Sequence, residues 1–207
     1  MTEAPARGRG ARSRDAILDT AGELMARHGY AATSISMISA ACGLPVSSLY
    51  WHFGSKDGIY VAVLERAQTT LLAALPPAEV PGRDLDERLE AFLTEVGDAF
   101  QRHQPSVRLL LGLGMVQQDA TAAAVAEVRH YRDALMQWAR DALSCVFGLR
   151  ERPEVADELA RFTLRMASGT AVARWFDAGA ALETGPLRVA LRALAAHHGV
   201  AVRGAPE

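Results

Sequence analysis

Two cysteines, Cys42 and Cys145, are all that the 207-residue chain contains. They are too few for a disulfide framework and lack the spacing of a zinc site, so a reducing compartment is expected, with both as small apolar fillers of helices. No uninterrupted apolar stretch reaches the roughly 18–20 residues of a membrane span, and the first residues lack the apolar centre of a signal peptide. A soluble, cytoplasmic protein with no membrane partner is expected. Alternating β-branched runs bounded by turns are also missing, which argues against a sheet. So are the nucleophile elbow, the phosphate loop, the dinucleotide fingerprint and the His-Glu-x-x-His zinc helix. Gly112-Leu113-Gly114 has neither a preceding strand nor a third glycine, and His197-His198 stands near the chain end without further ligands. No catalytic residue, metal or cofactor is therefore expected.

The overall charge of −2 gives no basic signature, but its distribution does. Residues 1–56 hold six cations and four anions, and the remainder 16 cations and 20 anions. A cationic end on an acidic body suits a protein that meets phosphate at one end; an idle solvated tail is the plainer alternative.

The punctuation is helical throughout. Ser13 is expected to cap a first helix whose inner face is Ile17, Leu18, Ala21, Leu24 and Met25, ended by Gly29. Thr33 is placed to cap a second, with Ile35 and Ile38 inward and Gly43 at its close. A third covers about Val46 to Trp51, and Ser55 caps a fourth that Pro76-Pro77 stops. Further helices are expected from Leu85 to His103, Pro105 to Gln118, Thr121 to Phe147, Pro153 to Ala178, and from Pro186. The expected fold is all-α, about nine helices. Its parts are a mobile basic arm (1–12), a helix-turn-helix domain (13–56), a bridging helix (57–75) and a helical ligand-binding and dimerisation domain (83–199).

The information is concentrated between Gly29 and Lys56. Two short helices flank Gly43-Leu44-Pro45, and Ile35, Ile38, Leu44, Leu49 and Phe53 are available to lock their angle. A helix-turn-helix demands this: a glycine-compatible turn, and buried positions that pin the second helix so that it protrudes. Its outward residues would be Val46, Ser47, Ser48, Tyr50, Trp51 and His52, suited to groove and phosphate contacts. The same residues allow a duller reading, in which Tyr50 and Trp51 pack at a domain edge and His52 bonds the backbone. The helix has no Arg, Asn or Gln for bidentate base contacts, so readout through thymine methyls, bridging water and DNA shape is expected.

Gly29-Tyr30, Thr33-Ser34, Ile38, Gly43, Leu49-Tyr50-Trp51-His52-Phe53 and Ser55-Lys56-Asp57 resemble the N-terminal signature of the tetracycline-repressor (TetR) family of bacterial regulators. The motif resemblance covers about residues 13–65. It implies that Thr33 and Ser36 meet the phosphate backbone, that Ser47 and Trp51 face the groove, and that Tyr50, His52 and Lys56 contact phosphates. Arg12 and Arg14 are placed near phosphates as well. The family usually begins its recognition helix with a small residue or serine, where this chain has Pro45, so the start of that helix, and which of Val46, Ser47 and Ser48 meets bases, stays open. The implied partners are a double-stranded DNA operator and a second copy of the chain.

Val155, Leu159, Phe162, Met166, Gly169, Ala173 and Phe176 follow a 4-3 spacing that suits a helix seam, with Thr170 beside it. This seam and Leu187, Leu191 and Leu194 of the last helix are expected to form the homodimer interface; an intramolecular seam is the alternative. Two-fold symmetry would call for a near-palindromic operator. The resemblance also implies an effector cavity, with Phe92, Phe100, Leu111, Met115, Trp138 and Trp175 as lining and His103, Arg108 and Tyr131 as polar anchors. Gly112 and Gly114 mark either space for a ligand or close helix packing. The function expected is a homodimeric transcriptional regulator, a repressor by default, released by a small, largely apolar effector. A helical small-molecule sensor with a vestigial DNA-binding half is the alternative.

Overall fold

A computed structural model describes residues 6–115, 121–173 and 184–201. Among them are nine α-helices and no strand: α1 (Ala6–His28), α2 (Ile35–Cys42), α3 (Val46–Phe53), α4 (Lys56–Ala74), α5 (Leu85–Arg102), α6 (Gln104–Met115), α7 (Ala122–Phe147), α8 (Pro153–Ala173) and α9 (Thr184–His197). No helix among the described residues is long and apolar enough to cross a membrane.

The helix boundaries follow local chemistry. Asp84 caps α5 by accepting from the Glu87 amide at 2.9 Å, and Thr121 caps α7 by accepting from the Ala124 amide at 3.2 Å. Gly148 leaves α7 in the left-handed conformation, φ 68°. Two starts differ from expectation. The first helix begins at Ala6, so the segment expected to be a mobile arm is helical from there and Ser13 lies inside the helix. Alanine and arginine favour this extension, while Gly8 and Gly10 oppose it by about 1 kcal/mol each. The last helix begins at Thr184, which puts Pro186 within its first turn, where proline is tolerated.

Contacts divide the chain into two units. One comprises the residues up to Thr70 together with Gln104–His130; the other comprises Leu71–His103 and the residues from Tyr131 onward. The division falls inside α4 and inside α7, so each of these helices serves both units. In the first unit Ile17, Leu18, Ala21 and Met25 of α1 are buried with Ile38, Leu49 and the α4 stripe Ile59, Val63 and Ala67. An ion pair from Arg66 to Asp19, 2.8 Å, joins α4 to α1 at the surface.

The second unit centres on Leu89, Phe92, Leu93, Leu143, Val155, Leu159, Leu187 and Leu191. Phe92 is fully buried and stacks on Trp138 with ring centroids 5.7 Å apart. The Trp138 indole N–H donates to the Pro76 carbonyl at 2.9 Å, so its one polar group is satisfied. Arg188 pairs with Glu90 at 2.7 Å and Arg192 pairs with Asp86, tying α9 along α5.

Candidate nucleic-acid interface

The local geometry of α2 and α3 is fixed by a short series of caps. The chain leaves α1 through Gly29 at φ 83°, and the buried Thr33 hydroxyl donates back to the Gly29 carbonyl at 2.8 Å. Ser34 caps α2, accepting from the Met37 amide at 3.1 Å. This corrects two expectations for Thr33. It does not cap α2, and with no exposed surface its side chain cannot meet a phosphate. The cap passes to the neighbouring hydroxyl, since Thr33 closes the turn between the helices. Two adjacent hydroxyl residues look alike in sequence; only the stronger capping preference of serine over threonine hinted at the outcome.

Gly43 ends α2 in the left-handed region at φ 69°, and the Ser39 hydroxyl donates to the Leu44 carbonyl at 2.6 Å, bracing the turn. Pro45, at φ −64° and ψ 147°, occupies the cap position of α3 without a side-chain bond, and the Ser48 amide donates to its carbonyl at 2.9 Å. The recognition helix therefore starts at Val46, and proline supplies the extended conformation that a cap residue needs. Gly54 reverses the chain at φ 74°, and Ser55 caps α4 by accepting from the Gly58 amide at 3.0 Å. Sequence reasoning passed over Gly58: a Cβ there would collide with the Phe53 carbonyl oxygen. Only glycine lets the first turn of α4 press against the end of α3.

With Leu49 and Ile38 fully buried, α3 is pinned and its other side is presented outward. Val46, Ser47 and Tyr50 are exposed, and Trp51 is 78% exposed, the most open of the large apolar side chains described. Ser48 and His52 are half-buried, with His52 edge-on to Trp51 at 4.6 Å between centroids. Ser36 and Met37 of α2 join the same exposed stretch. The packing alternative for Trp51 thus finds no support within the subunit.

Cations flank this face. Arg12 and Arg14 of α1 are both exposed, and the Arg14 guanidinium lies 5.3 Å from the centre of the Phe53 ring at the end of α3. Lys56, at the start of α4, sits 4.2 Å above the Tyr30 ring and donates to the Ala31 carbonyl at 3.4 Å. Tyr30 donates to Asp57 and stacks on Tyr60 at 4.5 Å. Burial, with the Asp57 bond second, pushes the Tyr30 hydroxyl up to about 12; burial alone does the same for Tyr60.

The residues expected at a dimer seam separate into two groups. Val155 and Leu159 belong to the core of their own unit, whereas Met166 is 46% exposed and Gly169 and Ala173 are exposed. Phe162 and Thr170 are half-buried. Leu187 and Leu191 are corrected: both lie in the subunit's own core, where α9 packs against α5 and α8. Leu194 is partly buried against the same core. The apolar side chain that α9 shows outward is Val189, 66% exposed. Phe176 lies outside the described residues.

The expected effector lining is dispersed. Phe92 and Trp138 are a mutually stacked core pair, and Phe100 packs against that core. His103 terminates α5, its amide donating to the Ala99 carbonyl at 3.2 Å. Tyr131 is buried, which raises its pKa. Arg108 and Leu111 lie on α6 with Met115 at its end, and Arg108 is exposed, which does not suit a buried anchor. Trp175 lies outside the described residues. A Cβ at Gly112 would meet nothing within 4 Å, so close helix packing is not what requires that glycine.

Two features went unmarked by the sequence reading. Buried Gln68 of α4 donates to Glu127 of α7 at 2.7 Å, while its carbonyl oxygen has no donor. In the second unit an open cleft of about 590 Å³ is bordered by Glu79, Ser144, Cys145, Arg150 and Arg152, none of them expected effector residues. Among the described residues no cluster of His, Cys, Asp or Glu is arranged to hold a metal ion.

Comparison with known proteins agrees with this geometry. Residues 17–63 match the family described as "Bacterial regulatory proteins, tetR family", a span containing α2, α3 and the recognition face. The chain is 32% identical over 173 residues to the HTH-type transcriptional repressor Rv3405c of Mycobacterium tuberculosis H37Rv, covering 77% of this chain and 86% of that one. In fold it is similar to a TetR-like transcriptional regulator from Rhodococcus sp. RHA1 (TM-score 0.66, 24% identity, 95% and 98% of the two chains). It is similar in the same way to a structure titled "SmeT-Triclosan complex" (TM-score 0.62, 23% identity, 95% and 98%).

Proposed function

Since this chain belongs to the tetR family of bacterial regulatory proteins and is a DNA-binding regulator of transcription, we propose that it works as a homodimeric repressor released by a small effector. The observation that carries the DNA-binding half is the outward Trp51, Tyr50 and Ser47 on a helix whose opposite side is locked by Leu49. One exposed indole would be ordinary, but Val46, Tyr50 and Trp51 are exposed together on one short helix, an apolar patch suited to a partner. Around it, Ser36, Tyr50, His52 and Lys56 hold the phosphate backbone, with Arg12 and Arg14 of α1 as further phosphate contacts, Arg14 beside the Phe53 end of α3. Val46, Ser47, Ser48 and Trp51 then meet the groove, and readout leans on thymine methyls and DNA shape. The mycobacterial relative is a repressor, which supports the direction of regulation.

Dimerisation is assigned to the outward part of α8, with Met166, Gly169, Thr170 and Ala173, together with Val189 of α9; Phe162, like Leu194, packs against the subunit's own core. Two-fold symmetry then gives a near-palindromic operator with half-sites roughly 34–36 Å apart, or a multiple of that. For the effector we favour a small, mostly apolar molecule. SmeT, similar in fold, has been solved as a complex with triclosan, a small molecule. The effector acts by favouring a conformer whose recognition helices no longer match the half-site spacing.

The test is fluorescence anisotropy with the DNA upstream of the protein's own gene, over a salt series, against scrambled competitor. Tight binding that resists competitor at two chains per site supports the reading. Binding without sequence preference, both there and in a genome-wide selection of bound fragments, would overturn it.

A further inference from the structure

The first turn of α4 lies beside the turn that joins α1 to α2, and one side chain from that turn engages two consecutive residues of α4. The Tyr30 ring lies under the Lys56 ammonium, 4.2 Å from ring centre to Nζ. The hydroxyl of the same tyrosine donates to the Asp57 carboxylate. Lys56 and Asp57 are adjacent and of opposite charge, yet the carboxylate is held at the far end of the tyrosine rather than on the ammonium. Buried Tyr60 stacks on the other part of the arrangement, centroids 4.5 Å apart and planes at 25°, which sets the plane of the Tyr30 ring.

We propose that Tyr30 is the positioning residue for the DNA-phosphate contact of Lys56: its ring fixes the ammonium, and its hydroxyl keeps Asp57 from neutralising that charge. The inference rests on the reading of Lys56 as a phosphate ligand given above. A lysine is a point charge on a flexible four-carbon stem, so an unrestrained ammonium loses rotamer freedom when it binds. Here that freedom is already restricted by the ring face and by the Ala31 carbonyl, 3.4 Å from Nζ. An ammonium has three donors, so donors remain for a phosphate oxygen after Ala31 is satisfied. The hydroxyl retains its proton up to about pH 12, so the hold on Asp57 persists wherever the protein meets DNA.

The experiment uses the full chain and a duplex of random sequence, because phosphate contacts do not depend on sequence. Affinity is followed over a salt series for the wild type, Lys56→Gln, Tyr30→Phe, Tyr30→Leu and the Tyr30→Leu/Lys56→Gln double variant. Lys56→Gln should lower the slope of log K against log salt by about 0.9, the share of one phosphate. Tyr30→Leu should weaken binding about two- to tenfold with the same loss of slope. Tyr30→Phe, which keeps the ring and frees Asp57, should fall between, and adding Asp57→Asn to it should restore wild-type affinity. In the Lys56→Gln background Tyr30→Leu should cost nothing further. An equal loss with and without Lys56 would reduce Tyr30 to a packing residue and overturn the proposal. So would a Tyr30→Phe variant that binds as the wild type does, and that variant keeps the test decisive should Tyr30→Leu fail to fold. An unchanged slope in Lys56→Gln would remove the phosphate reading and the inference with it; a lowered slope without coupling to Tyr30 would remove the inference alone.

Discussion

The α-carbon of Gly58 faces the carbonyl oxygen of Phe53 so closely that no Cβ fits between them. Replacing a helical glycine by alanine ordinarily gains about 1 kcal/mol, whereas forcing an extra methyl into a filled space costs about 1–3 kcal/mol. The obstacle is backbone and cannot rotate away. Gly58→Ala should therefore destabilise the first unit, lowering its thermal midpoint, and weaken DNA binding by shifting α3. A variant that melts at or above the wild-type temperature would contradict the close approach.

Thr33 and Ser34 should separate cleanly. Thr33→Val keeps the shape and removes the bond to Gly29, so it should cost about 0.5–1.5 kcal/mol of stability. It should leave the salt slope of DNA binding unchanged. Ser34→Ala should lose a comparable amount, about 1 kcal/mol, through its cap. A slope that falls in Thr33→Val would return that residue to the phosphate contacts.

On α9 the two faces should respond in opposite ways. Leu191→Ala removes a fully buried side chain and should destabilise by about 2–5 kcal/mol. Val189→Glu adds a charge to an exposed position and should leave the melting of the subunit nearly unchanged while moving sedimentation from dimer toward monomer. A dimer that survives both Val189→Glu and Met166→Glu would place the interface elsewhere.

Alkaline titration reports the tyrosine cluster. Tyr30 and Tyr60 have folded-state values near 12 against an ordinary 10. The folded state thus favours their neutral form. Stability from this source is fully present below pH 10 and is lost as pH rises toward 12. Ultraviolet difference titration should show three tyrosines, this pair and the buried Tyr131, that ionise late and together with unfolding. Their ionisation near pH 10 with the fold intact would contradict the burial of this pair.

Much of the first unit was legible because its signals are local. The end of α2 follows from Gly43, and the buried side follows from the spacing of Ile38 and Leu49; the start of α3 was left open by Pro45, and its end lies at Phe53, past the Trp51 expected. What sequence could not give is set by contacts between distant segments. Periodicity placed Leu187, Leu191 and Leu194 on one face of α9 without saying what covers that face, and α5 and α8 cover it. Likewise Phe92 and Trp138 are as suitable for a ligand cavity as for a core, and the decision lies in their stacking on each other. Tyr30 was visible only as part of a motif; its partners are Tyr60 and the first turn of α4, far along the chain.

The environments of Trp51 and Trp138 have an optical consequence. The Trp138 indole is stacked on Phe92 with its N–H bonded to Pro76, whereas Trp51 stands in solvent in the last turn of the presented helix. Emission from the chain should therefore contain a red, readily quenched component from Trp51 and a blue, shielded one from Trp138. A helix entering a groove would shield the first and leave the second untouched, so the part of the emission that Trp51→Phe removes from the chain's three tryptophans is an intrinsic, label-free gauge of operator occupancy.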